Sequence, residues 1–187
     1  MATIKLFLGI LCFIYISSNS LYRRDLLIRI LKHTPRNPSR FTITEIASGE
    51  LGTRELTGHN DGPKVEAYLS VVKLKKGQPW CAAFVSWVYA KAGFPQPRTA
   101  WSPDLFPKNR LARSALPGNV VGIYFPEYKR IAHVGLVASQ KGSYVFTIEG
   151  NTNVPGAREG DGVYRRVRHL RTIHSIADWI TERREIR

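Results

Sequence analysis

The chain has 187 residues, of which 43% are hydrophobic and 22% charged. That is enough apolar material for one globular core, and it excludes a disordered polar tail. The 28 Lys and Arg outnumber the 14 Asp and Glu, and the formal charge of +14 favours a polyanionic neighbour: nucleic acid, an anionic membrane face or a carboxylate-rich wall polymer.

The N-terminus narrows these choices. Ile4 to Ile16 is an apolar run interrupted by Lys5 and followed by Ser17, Ser18, Asn19 and Ser20. It is short for a membrane span and suits the apolar region of a signal peptide. Residues 1–20 are therefore expected to be a signal peptide or a retained anchor, and the protein to be extracytoplasmic. Cys12 lies inside this run after Leu11, which is not the small residue that lipidation requires. Residues 21–40 are basic and carry Pro35 and Pro38, which reads as a linker. The folded domain is placed at 41–187. With the leader removed, Cys81 is the only cysteine, and a lone thiol in a secreted chain is a candidate reactive group.

Thr42 to Ala47 opens the domain as a short helical or extended piece. Asp61 or Gly62 caps a second helix, with Pro63 in its first turn and Val65, Tyr68, Leu69 and Val72 at helical spacing. The third runs from Cys81 to a stop at Gly93, after an extended lead-in through Pro79 and Trp80. Its stripe is Cys81, Phe84, Val85, Val88, Tyr89 and Ala92, with Ala82, Ser86 and Ala90 beside it. Cys81 thus falls at the first helical position, where unpaired N–H groups and the helix dipole favour a thiolate. The bland alternative is a small buried cysteine. A long proline-rich loop follows, and Trp101 within it either pins the loop to the core or lines a groove.

From Val120 the pattern becomes β. Strands are expected at Val120–Phe125, Ile131–Ser139, Ser143–Glu149 and Val163–Leu170, and an apolar segment at Ile173–Ile180 closes the chain. Gln140-Lys141-Gly142 reads as a three-residue hairpin loop with Gly142 in the left-handed position. That loop sets Ser139 against Ser143 and His133 directly against Glu149, with side-chain roots about 4.5–5.5 Å apart. A two-residue loop would slip this register by one. Helices followed by antiparallel strands make an α+β domain.

A cysteine nucleophile needs a base and a group that holds the base. His133 and Glu149 fit those roles, Asn151 is a fourth polar group just past the strand, and His169 is the one serious competitor as base. Taken singly, His133 reads more often as a satisfied or exposed strand histidine, and Glu149 as a solvated strand end. There is no H-E-x-x-H, no paired-cysteine zinc pattern and no Walker-type phosphate loop. No metal or cofactor is therefore expected. No recognised nucleic-acid motif accompanies the charge. Arg165, Arg166 and Arg168 form a basic strip that is either a solvated face or an attractor for wall or membrane anions.

Three segments resemble a known family: Pro79-Trp80-Cys81-Ala82-Ala83-Phe84-Val85, Ala132-His133-Val134-Gly135 and Ile148-Glu149-Gly150-Asn151-Thr152. Together they are similar to the CHAP domain (cysteine, histidine-dependent amidohydrolases and peptidases), a branch of the papain-like superfamily. The likeness covers about Ile43 to Leu170. It implies a papain-like fold with N-terminal helices packed on an antiparallel sheet, and catalytic roles for Cys81, His133, Glu149 and Asn151. The implied reaction is hydrolysis of peptidoglycan amide bonds, as endopeptidase or N-acetylmuramoyl-L-alanine amidase, on stem peptides as partners. Trp80 and Trp101 are candidate groove walls, and Gln78 a candidate oxyanion donor. A monomer that does not bind nucleic acid is expected. The other readings are a catalytically idle CHAP-like wall-binding module and a basic polyanion-binding protein.

Overall fold

A computed structural model of the chain describes residues 39–153 and 160–181. They belong to a compact unit spanning Pro38–Arg187. The expected leader at residues 1–20, and the linker up to residue 38, lie outside the described residues. No helix among the described residues is long and apolar enough to cross a membrane.

Helix α1 spans Arg40–Gly49, so it takes up the last residue assigned to the linker. Ser39 caps it by accepting a hydrogen bond from the Thr42 N–H, which answers one of the orphan donors of the first turn. Helix α2 spans Pro63–Ser70, with Gly62 as N-cap and Pro63 at the first position. Helix α3 spans Cys81–Lys91. The expected stripe understates its burial: every residue from Cys81 to Tyr89 is buried, Trp87 included. The reason is its place in the layers. It packs against α1 and α2 and against strands β2 and β3 of the sheet.

The sheet is antiparallel throughout, with spatial order β4-β3-β2-β1-β5. Its strands are β1 Val120–Phe125, β2 Arg130–Lys141, β3 Tyr144–Thr152, β4 Gly162–His169 and β5 Ser175–Ala177. The fold is therefore α+β. The closing apolar segment is mostly irregular and contributes only the short β5. Val120, Val134, Leu136 and Ile148 face the main core with α3. Val121, Val137, Val145 and Ile176 enter a smaller core on the reverse face, closed by Ala112 and Ala115 of the irregular segment before β1.

The β2–β3 hairpin differs from expectation. Lys141 pairs with Tyr144, so the loop is the two residues Gly142 and Ser143, with Gly142 at φ 57°. Alone, this would put His133 and Glu149 on opposite faces. A bulge between Val137 and Ser139 corrects it: beyond the bulge Val137 pairs with Thr147 and Leu136 with Ile148. Glu149 then falls opposite Gly135, and His133 lies diagonal to it on the same face. A classic two-against-one bulge of this kind shifts every later side chain by one position.

Candidate active site

Cys81 opens α3 with its side chain buried, at 7% exposure, on the floor of a cleft. A helix start leaves the N–H groups of its first turn without helical acceptors. One of them, the Ala82 N–H, reaches the thiol sulfur. The Ser102 hydroxyl lies 3.6 Å from Sγ. His133, near the start of β2, hydrogen-bonds the thiol as well. Its Nε2 is 2.8 Å from Glu149 Oε2, which leaves Nδ1 for Cys81. Glu149 is fully buried, and both its oxygens are occupied. Oε1 accepts from the Thr147 hydroxyl at 2.6 Å and from Arg168 Nε at 2.9 Å; Oε2 accepts from Arg168 Nη2 at 2.6 Å.

Charge follows from this geometry. Burial pushes the Cys81 thiol up, but the hydrogen bond and charge of His133 outweigh it, with Ser102 and the Ala82 N–H assisting, so the thiol lies below its ordinary value. Burial pulls the His133 imidazole down, yet Cys81 and Glu149 raise it to about 9. Burial also opposes ionisation of Glu149. The Arg168 fork and His133 overcome that and hold the carboxyl well below the carboxylate range. A thiol, an imidazole and a carboxylate in hydrogen-bonded sequence can hold a thiolate beside an imidazolium, the arrangement that nucleophilic acyl transfer needs.

Gly135 makes the diagonal contact possible. A Cβ built there would lie 2.5 Å from Glu149 Cγ, so only glycine lets the Glu149 side chain lie across β2 towards His133.

Two cavities meet over Cys81 and share Pro79 and Ala132. The larger, about 530 Å³, is lined by Tyr128, His133, Asn151 and Arg168 among others. The smaller, about 280 Å³, is lined by Leu74, Gln78, Trp101, Ser102 and Arg130. A chain crossing from one to the other would pass the sulfur. No cluster among the described residues could hold a metal ion.

The remaining residues singled out from the sequence sort as follows. Trp101 is 50% exposed and forms a wall of the smaller cavity, and Gln78 is exposed beside it. Trp80 is not a groove wall. Its ring is fully buried against Tyr68 and Phe84, and its indole N–H donates to Glu55 at 2.8 Å. Nor is its backbone extended; at ψ 12° it turns into the helix as N-cap. Asn151 meets neither Cys81 nor His133 by a hydrogen bond. Its Oδ1 accepts from the Trp80 N–H at 3.0 Å, and its Nδ2 donates to Asn60 and Gly160. It thereby anchors the residue before Cys81. His169 lies at the far end of β4 against Tyr144, away from the cleft.

The basic strip divides by strand alternation. Arg165 is exposed, whereas Arg168 turns in and is paired with the buried Glu149. Ser102 and Thr147 escaped the sequence reading, and Arg168 was read only as part of a basic strip. The signal for Arg168 was its place on a strand two positions from Arg166, pointing to one face of the sheet.

No family model, no curated protein and no solved structure matches this chain.

Proposed function

We propose that the protein is a cysteine hydrolase of the CHAP type, with a papain-like fold, that cleaves amide bonds in the peptides of bacterial peptidoglycan. The observation that carries this reading is the hydrogen-bonded series of Cys81, His133 and Glu149 where two cavities meet. The wall polymer as substrate comes from the sequence likeness, and the +14 charge suits an anionic wall. An extracytoplasmic location goes with the same reading.

In the proposed reaction the Cys81 thiolate attacks the carbonyl carbon of the amide. The resulting oxyanion is met by N–H groups at the start of α3, with Gln78 at the cleft edge as a second donor. His133, as imidazolium, gives its proton to the departing amine as the C–N bond breaks. It then takes a proton from water, which hydrolyses the thioester and regenerates the thiol. Glu149 holds the imidazole by Nε2 and balances its charge throughout, as the carboxylate of a triad does. Asn151 acts one step back, by fixing Trp80 and hence the start of the helix.

The test is mass spectrometry of purified peptidoglycan incubated with the full chain, beside Cys81→Ala. Stem peptides freed with an N-terminal alanine mean amidase action; split cross-links or shortened stems mean endopeptidase action. Either product must be absent with the variant. Failure to release fragments from walls of several chemotypes, by protein whose Cys81 still alkylates, would overturn the assignment in favour of a wall-binding module.

A further inference from the structure

We propose that Arg130 forms a subsite for a substrate carboxylate on the Trp101 side of Cys81, a reading that rests on the hydrolase assignment and narrows its substrate to amides bearing a free acid near the scissile bond. Arg130 opens β2, three residues before His133, and lines the smaller cavity together with Cys81. Its guanidinium carbon lies 4.1 Å from the centroid of Trp101 and 5.6 Å from that of Tyr128. Its Nη1 donates to the Ile131 carbonyl at 3.1 Å. These contacts fix the group in place, but they engage its face and one N–H. The other donors of the fork stay available, and an in-plane carboxylate is the acceptor they match.

The charge around it points the same way. Arg40, Arg54 and Arg168 each pair with a carboxylate of the chain, and Arg130 pairs with none among the described residues. Asp104, the acid of the short turn after Trp101, is engaged by the Thr99 hydroxyl at 3.1 Å. Lys73, Lys75 and Lys76, all exposed, flank Leu74 and precede Gln78, two residues of the cavity wall, along the chain. A half-buried cation held rigid beside a nucleophile, with no counter-ion among the described residues, is suited to orient an anionic ligand.

Two matched probe pairs test this on the full chain. The first pair is N-bromoacetyl-alanine and N-bromoacetyl-alaninamide, which alkylate Cys81 as the thiolate displaces bromide; rates are read by mass spectrometry of the proteolytic peptide that carries Cys81. The second is a synthetic peptide amide carrying a free carboxylate next to the cut bond, and its carboxamide twin, read as kcat/KM. The acid of each pair is expected to react about tenfold faster or more. In Arg130→Gln the ratio falls towards one, and in Arg130→Lys part of it survives. His133 is present in all three proteins, so its own attraction for anions cancels. Equal rates for acid and amide in the unaltered chain, or a ratio unmoved by Arg130→Gln, would overturn the subsite. Acid-selective alkylation without any amide cleavage would leave the subsite standing and remove the hydrolase reading. Cleavage without acid preference would do the reverse, and a Cys81 inert to both alkylators would count against both.

Discussion

Glu149 receives four hydrogen bonds on two oxygens, from His133, Thr147 and the two-pronged Arg168. A buried carboxylate so fully satisfied cannot rotate away from the imidazole, and it stays ionised wherever the protein is folded near neutral pH. The consequence for Cys81 is a thiolate favoured beside the His133 imidazolium. The thiol is depressed and the imidazole is raised to about 9. Alkylation of Cys81 by iodoacetamide at pH 7 should therefore exceed that of free cysteine, and a rate no higher would show that the pair does not form. Hydrolysis should fall on the alkaline side near pH 9, as the imidazolium loses the proton the departing amine requires. Replacing Arg168 by Met removes the fork but leaves the imidazole. Glu149 then protonates at higher pH, so the acid limb of the rate profile moves up. A loss of about tenfold to a hundredfold is expected, mostly in kcat, with Arg168→Lys recovering part of it. A mutant with an unmoved acid limb and altered KM alone would assign Arg168 to substrate binding instead.

The hairpin of β2 and β3 brings base and carboxylate together by two irregularities that cancel. Its two-residue loop shifts the pairing by an odd number of positions, and the bulge near Ala138 restores the parity, leaving Glu149 opposite Gly135 and on the same face as His133. Gly135 then supplies the gap through which Glu149 reaches its partner. Gly135→Ala should force Glu149 off this path, with a stability cost of about 1–3 kcal/mol and loss of the alkaline limb near pH 9. Nuclear magnetic resonance titration of the His133 ring reads the effect directly, and a ring that still titrates near 9 would contradict it. This hairpin also marks what was legible in the chain beforehand. The parity of His133 and Glu149 could be read, because alternation along a strand survives a compensated slip. The path could not, because a bulge is paid out in backbone geometry that no residue type at Ala138 announces. Helix α3 was visible from its spacing and its lone cysteine. Its burial on every side was not, since that depends on α1, α2 and the sheet closing around it. Trp80 looked like a wall because it adjoins Cys81, but its ring is fully buried against Tyr68 and Phe84. Arg168 was misread for a related reason: it meets Glu149 from the neighbouring strand, 19 positions along the chain.

Over the whole molecule, the start and end of the described fold are tied together away from the cleft. Arg40, the first residue of α1, pairs with Asp178 just past β5, and also donates to Asn119 at 2.6 Å. The Tyr89 hydroxyl, from α3, donates to the carbonyl of the adjacent Gly118. One polar cluster thus joins the first helix, the site-bearing helix, the segment before β1 and the chain's closing turn. Asp178 is buried, which pushes its carboxyl up. The N–H groups of Ile180 and Thr181, the Thr181 hydroxyl and Arg40 outweigh this and leave it lowered. A carboxyl lowered by folding stabilises the protein above its unfolded value of about 3.9, and that contribution is lost as pH falls through the folded value. Asp178→Asn should therefore cost roughly 2 kcal/mol near neutral pH, as loss of hydrogen bonds to a charged group does. It should also flatten the fall in stability below about pH 4. Because the cluster does not touch Cys81, His133 or Glu149, the rate of Cys81 alkylation should stay the same in this variant at neutral pH. Urea unfolding across a pH series, run beside the alkylation assay, measures both. Equal stability of the two proteins at pH 7 would mean that the tie is dispensable; a slowed alkylation would mean that the cluster reaches the start of α3 after all, through Tyr89 and the helix that carries both residues.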